Sequence, residues 1–293
     1  MAKEADMAVV VVTGTSTGIG LATAVTLARG GHVVFAGMRN LDKGGELREV
    51  AAKENLPITL VKLDIDSDKS VDEAFRRILK EVGHIDALVN NAGIPGRGYV
   101  EETPIAFFRQ VMETNFFGSL RCIQAVLPSM RERKSGCIVN ITSVARQFGM
   151  PPQAPYAASK WAFEGLSECL AQELSPFNVR VAIVEPGVIA TPMTTTPRPV
   201  PPPSPYSMHG RRMAAYFMAS LGRPTSPFDV ARTIQDIVDG KSTKLRNPAG
   251  ADGATLINWR KSKTDEEWVH LGAASDAEWL ADAAKYSGLD IKL

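Results

Sequence analysis

The strongest constraint on the fold lies in the first thirty residues. Ala8 to Val12 is a β-branched run that reads as a strand buried on both faces. Thr13-Gly14-Thr15-Ser16-Thr17-Gly18-Ile19-Gly20 follows at once, and a helical pattern then runs through Ala28 and stops at Gly30-Gly31. Strand, glycine-rich turn and helix in that order are what a dinucleotide site needs. Gly14 permits the tight turn, Gly18 lets a pyrophosphate approach the backbone, and Gly20 lets the helix pack close. The spacing is Gly-x-x-x-Gly-x-Gly, not the commoner Gly-x-Gly-x-x-Gly, and a loop without a ligand is the plain alternative.

The rest of the chain continues the alternation. His32 to Met38, Ile58 to Leu63, Asp86 to Asn90, Gly136 to Ser143 and Val179 to Val184 read as strands, with a short seventh over Lys244 to Asn247. Between them lie a polar amphipathic helix over Leu41 to Asn55 and a helix over Ser70 to Val82. A long helical region covers Thr103 to Arg133, and further helices follow Pro155 and span Ser226 to Asp239. This period predicts an α/β fold: one doubly wound parallel sheet of about seven strands with helices on both faces, Rossmann-like, with residues 1–293 forming one domain. Ligands in such sheets gather at the carboxyl ends of the strands.

Several residues fall at that edge. The second strand closes on Ala36-Gly37-Met38-Arg39-Asn40. No acid is there for a ribose 2′-hydroxyl, while the planar fork of Arg39 can meet a 2′-phosphate, so NADP(H) is expected over NAD(H), which is not excluded. An arginine capping the next helix is the other reading. Asp64 can reach an adenine amino group with the Ile65 backbone beside it, or serve as a helix N-cap, for which Ser67 is better placed. Asn90-Asn91-Ala92-Gly93 supplies small residues and amides for a wall beside the cofactor. Asn115, polar among apolar neighbours, is read as a functional kink that holds a water, since an unsatisfied buried amide costs roughly 1–3 kcal/mol.

The chemistry centres on Ser143 to Lys160. With the segment after Pro155 helical, Tyr156 and Lys160 stand at i and i+4 and project from one face. A fixed cation beside a phenol favours the phenolate, so Lys160 is expected to lower the acidity constant of Tyr156. Ser143 would hold the same substrate oxygen by a hydrogen bond. Alone, a Tyr-x-x-x-Lys pair is more often a surface or core contact.

Composition narrows the partners. A net charge of +1 offers no electrostatic case for nucleic acid or an anionic membrane. Cys122, Cys137 and Cys169 lie far apart and read as small core side chains, and His32, His84, His209 and His270 show no ligand spacing, so no metal is expected. The opening Met-Ala-Lys-Glu-Ala-Asp-Met has acids where a secretory leader needs a basic then apolar run, and no stretch approaches a membrane span. A cytoplasmic setting is expected.

Taken together, Thr13-Gly14 with Gly18 and Gly20, Asn90-Asn91-Ala92-Gly93, Asn115, Ser143, Tyr156, Lys160 and Pro186-Gly187-Val188-Ile189-Ala190-Thr191 resemble the short-chain dehydrogenase/reductase family, over roughly residues 9–240. The resemblance implies Tyr156 as acid/base and Lys160 as the group that tunes it and binds the nicotinamide ribose. It also implies Ser143 orienting substrate, Asn115 holding a relay water, and Ile189 and Thr191 at the nicotinamide carboxamide. Phe35-Ala36-Gly37-Met38-Arg39 is similar to the 17-beta-hydroxysteroid and retinol dehydrogenase branch, where an arginine favours NADP(H). Thr17 departs from relatives with a basic residue there, which leaves Arg39 to carry the choice. Relatives also imply a homodimer or homotetramer.

Residues 192–227 hold Thr194-Thr195-Thr196 and the proline-rich Pro197-Arg198-Pro199-Val200-Pro201-Pro202-Pro203, which by composition is a stiff linker or partner motif. In this fold the segment is expected to cover the substrate, with Met193, Met208, Met213, Tyr216, Phe217 and Met218 giving an apolar lining for a bulky hydrophobic substrate. Residues 248–293 form a helical extension with capping boxes at Thr264-Asp265-Glu266-Glu267 and Ser275-Asp276-Ala277-Glu278. The resulting expectation is an oxidoreductase interconverting a hydrophobic alcohol and its ketone or aldehyde. An acyl-chain ketoreductase and a non-catalytic dinucleotide sensor are the alternatives.

Overall fold

The computed structural model describes residues 7–197 and 202–293. Arg198 to Pro201, the middle of the proline-rich run, lies outside them. Seven strands form one sheet in the order β3-β2-β1-β4-β5-β6-β7, every pair parallel. They are β1 (Val9–Thr13), β2 (Val33–Met38), β3 (Ile58–Lys62), β4 (Ala87–Asn90), β5 (Gly136–Ile141), β6 (Val179–Pro186) and β7 (Arg246–Ala249). β7 begins two residues later than the sequence predicts.

Both faces of the sheet are covered, and side-chain alternation assigns each layer. Val10 and Val12 of β1 join a core with Leu21, Val25 and Leu27 of α1 (Gly18–Arg29), Leu47 of α2 (Gly45–Glu54) and the later Val230, Ile234 and Ile237. Val11, between them, points to the opposite core, with Phe75 and Ile78 of α3 (Asp68–Val82). That second core also takes Ile123 and Val126 of α5 (Ser119–Arg133) and Phe163 and Leu170 of α6 (Ala154–Leu174). Strands buried on both faces explain why their sequences read as continuous apolar runs.

The long helical region preceding β5 is not one helix. α4 (Ile105–Met112) passes into a π turn over Glu113–Gly118 before α5 begins. The kink expected at Asn115 is that turn. Likewise the helix expected from Leu41 opens as a 3₁₀ turn, Leu41–Gly44, whose cap is Asn40, with its side chain accepting from the Asp42 N–H at 2.9 Å. Capping there belongs to Asn40 and not to Arg39. At α3 the cap is Ser67, accepting from Ser70 N–H at 3.3 Å. Cys122 and Cys137 are buried as expected; Cys169 is exposed, because it follows Glu168 on the outward face of α6.

After β6 come α7 (Pro192–Thr195), α8 (Ser207–Leu221) and α9 (Pro227–Val238), and after β7 come α10 (Gly253–Lys261), α11 (Asp265–His270) and α12 (Asp276–Ser287). Both predicted capping boxes are present, at Thr264 and Ser275. α8, α10 and α12 build a third core from Tyr216, Leu256, Trp259, Trp279 and Ala283 together with Val144, Phe148 and Val188. Among the described residues no helix is long and apolar enough to cross a membrane.

Candidate active site

The strand order reverses at β1, which pairs with both β2 and β4, and this opens a crevice at the carboxyl edge. A cavity of about 370 Å³ lies there. Of the predicted site residues, Gly14, Ser16, Thr17, Gly18, Ile19, Arg39, Asp64, Ile65, Asn91, Ala92, Gly93, Ser143, Tyr156, Lys160, Pro186, Gly187, Ile189 and Thr191 line it. Thr15, Gly20 and Asn115 stand behind its wall.

Those three are held there for identifiable reasons. Thr15 donates both its backbone N–H and its hydroxyl to the Gly37 carbonyl at 3.1 Å, tying the turn to the end of β2. A Cβ on Gly20 would stand 2.2 Å from the Gly14 carbonyl oxygen and 2.4 Å from Asn91 Nδ2, so only glycine lets α1 start there. Gly14 and Gly18 adopt φ of +71° and +60°, the left-handed region. The N-cap Thr17 makes no side-chain cap bond and the first turn of α1 holds no acid, so its N–H groups face the cavity without a side-chain acceptor of that kind. A pyrophosphate fits this cradle.

Asn115 is fully buried, and its side chain is spent on the protein. Oδ1 accepts from the Ile94 N–H at 2.8 Å, while Nδ2 donates to the Ile94 carbonyl and the Ser159 hydroxyl, each at 3.0 Å. Ser159 donates in turn to the Tyr156 carbonyl at 2.7 Å. The π turn is thereby locked to the first turn of the helix that carries Tyr156.

Ser143, Tyr156 and Lys160 meet at this edge of the cavity. The Lys160 ammonium donates to the Ile141 carbonyl at 2.9 Å and lies 5.6 Å from the centre of the Tyr156 ring. Burial pulls Lys160 down to about 8. Burial also holds the Tyr156 phenol above its ordinary value, and a hydrogen bond with Ser143 opposes that rise. The ammonium's hydrogen bond goes to a backbone carbonyl, and the balance of burial and the Ser143 bond leaves the phenol above its ordinary value.

Sequence reasoning missed the polar scaffold beneath these groups. Thr13 accepts at its hydroxyl from the Asn91 and Ala92 N–H groups, each at 3.0 Å. Asn90 donates to Asn140 at 2.9 Å, and Asn140 to Ser167 at 2.8 Å, which joins β4, β5 and α6 inside the core. Thr142 donates to Glu164 at 3.0 Å, and Arg146 bonds Glu185 at 2.6 Å, so the turn bearing Ser143 is anchored on both sides. The available signal was small polar residues inside apolar strands, each needing a partner once buried.

At the other end the cavity is apolar. Met193, Met213, Tyr216 and Phe217 line it as expected, joined by Phe148, Met150 and Leu256. Met208 and Met218 do not, and Met218 is 74% exposed: 213, 216 and 217 share one face of α8, while 218 falls on another.

Comparison with known proteins agrees with this geometry. The profile of the short chain dehydrogenase family matches residues 8–200. The uncharacterized oxidoreductase YusZ of Bacillus subtilis is 36% identical over 250 residues, which span 83% of this chain and 89% of that protein. Retinol dehydrogenase 8 of Bos taurus is 44% identical over 187 residues, 62% of this chain and 59% of the bovine one, so the match leaves much of that relative's length uncovered. A short-chain dehydrogenase from Streptomyces avermitilis superposes with a TM-score of 0.77 at 30% identity, covering 94% of this chain and 100% of the other. A variant actinorhodin polyketide ketoreductase solved with NADPH gives 0.71 at 28%, covering 84% and 96%. With the parallel sheet, the glycine turn and the Ser143, Tyr156 and Lys160 cluster in place, this chain belongs to the short-chain dehydrogenase family.

Proposed function

We propose that the protein is an NADP(H)-dependent oxidoreductase that interconverts a bulky apolar alcohol and its ketone or aldehyde. The observation that carries this reading is the convergence of Ser143, Tyr156 and Lys160 on one cavity whose far wall is Phe148, Met213, Tyr216 and Phe217. The nicotinamide would supply or accept the hydride when bound. The residues of the chain do the rest. Backbone N–H groups at the start of α1 would hold the pyrophosphate, and Asp64 and Ile65 would meet the adenine. Arg39, exposed at the end of β2 and free of any capping duty, would receive the 2′-phosphate.

Ser143 aims the substrate oxygen, and the half-buried Tyr156 gives it a proton from its phenol during reduction. Lys160 stands ready for the ribose. Asn115, its amide already spent, leaves any relay water to its backbone. The apolar wall selects substrate by area and shape. Similarity to a retinol dehydrogenase supports a hydrophobic alcohol as substrate. An NADPH-bound neighbour supports the cofactor choice.

The test is NADPH consumption against steroid ketones, retinoids, aryl ketones, fatty aldehydes and one β-keto thioester. Turnover of the apolar carbonyls with NADPH favoured over NADH is expected. Turnover of the thioester alone would move the reading to an acyl-chain ketoreductase.

A further inference from the structure

The loop after β6 must hold its backbone still if the nicotinamide is to rest on it. Gly187 N–H donates to the Ala249 carbonyl at 3.0 Å, and Ala190 N–H to the Thr225 carbonyl at 3.0 Å. Thr191 N–H donates to the Thr194 hydroxyl at 3.2 Å. Val188 N–H donates to a carboxylate far along the chain: Asp252 Oδ1 at 3.0 Å and Oδ2 at 3.2 Å. Ile189 N–H alone in this run has no acceptor among the described residues.

Asp252 sits at the start of α10, beyond the residues that the family profile matches. Its carboxylate fills the space under the loop. A Cβ on Gly187 would stand 1.9 Å from Asp252 Oδ1, so the glycine and the acid are one device. The same helix places Leu256 in the cavity wall, and the Asp252 charge faces the buried Tyr216, whose phenol it helps hold above its ordinary value. Asp252 is half-buried, and desolvation holds its carboxyl above the usual carboxylate range, which the Val188 N–H offsets only in part.

We infer that Asp252 is a positioning residue for the nicotinamide end of the cofactor site. It fixes Gly187 and Val188 so that the Ile189 N–H faces the cavity, and it joins that loop to the C-terminal helices that wall the substrate. The inference rests on the dinucleotide reading above, and it concerns a role that the acid plays through the loop, not through contact with the reacting atoms.

Fragment binding separates this role from a general loss of structure. NADPH reaches the loop; adenosine 2′,5′-bisphosphate occupies only the glycine-turn end. Asp252→Ala should raise the Kd for NADPH about tenfold, equivalent to ~1.4 kcal/mol, and leave the bisphosphate within about twofold of wild type. Asp252→Asn, which keeps one acceptor oxygen for Val188, should recover most of the loss, and it carries the test if the alanine variant fails to fold. Equal NADPH affinity in wild type and a folded variant would overturn the inference, as would parallel weakening of both ligands. Wild-type protein that binds neither NADPH nor NADH would instead overturn the dinucleotide reading. If NADH proves the tighter ligand, NADH and ADP form the pair.

Discussion

The two ends of the cavity are held by different forces. At the nucleotide end, atoms are placed by directional bonds among backbone groups and small polar side chains: Thr15 to Gly37, Thr13 to Asn91 and Ala92, Asn115 to Ile94 and Ser159. At the substrate end, a third core of aromatic and aliphatic side chains places surfaces. Tyr216 stacks on Trp259 with ring centres 6.4 Å apart, Trp259 meets Trp268 at 5.3 Å, and Trp268 meets Phe148 at 5.4 Å. Directional bonds fix positions closely and fail abruptly when one partner is lost. Apolar packing fixes volume, and changes there act by degree. Substitutions at the first end should therefore act as switches and those at the second as dials.

The largest effect is expected where chemistry meets the polar scaffold. Tyr156→Phe should lower kcat by about 10³-fold or more, with NADPH affinity near wild type, because only the proton is removed. Ligand titration and steady-state rates on one preparation check this, and a loss of NADPH binding equal to the loss of rate would erase the distinction between acid and scaffold. Next, Gly20→Ala should drive its new Cβ into the Gly14 carbonyl and Asn91. NADPH should then bind about 100-fold more weakly, ~2.7 kcal/mol, as calorimetry would read.

A smaller effect is expected from pH. Lys160 is cationic below about 8 and neutral above it, whereas the raised phenol of Tyr156 stays protonated through that range. The ribose contact assigned to Lys160 needs its ammonium, so carbonyl reduction should be level through neutrality and fall as pH rises past about 8. Lys160→Arg, which keeps its charge, should lose that fall in a pH–rate profile; a profile unchanged in the variant would assign the break to another group. At Arg39, exchange for aspartate should cut preference for NADPH over NADH about tenfold or more, ~1.4 kcal/mol, in competing-cofactor kinetics. Phe217→Ala should be the mildest, raising KM for an apolar ketone about tenfold with kcat and NADPH affinity unchanged. If it instead abolished activity, the substrate end would be a switch as well.

The same contrast governs what could be read from the chain alone. Strands buried on both faces and the glycine turn were legible, because short-range sterics and apolar runs are properties of consecutive residues. Ser143, Tyr156 and Lys160 were legible through spacing. What escaped depends on partners distant in sequence. Asp252 has meaning only beside Gly187 and Val188, and Glu164 only beside Thr142 and Arg146. The bond from Lys160 to the Ile141 carbonyl is likewise not visible from an i, i+4 pair. Met208 and Met218 were misplaced because composition shows that a segment is apolar and not which face of its helix meets the cavity.

The central claim is that this cavity passes a hydride to an apolar carbonyl while Tyr156 delivers the proton. Incubation with NADPH deuterated at both C4 positions of the nicotinamide and a ketone identified in the consumption assay, followed by mass spectrometry of the alcohol, tests it directly. Wild type should place one deuterium on the carbinol carbon, and Tyr156→Phe, with NADPH still bound, should form almost no labelled alcohol. Unlabelled alcohol from wild type, or equal labelling by both proteins, would contradict the account.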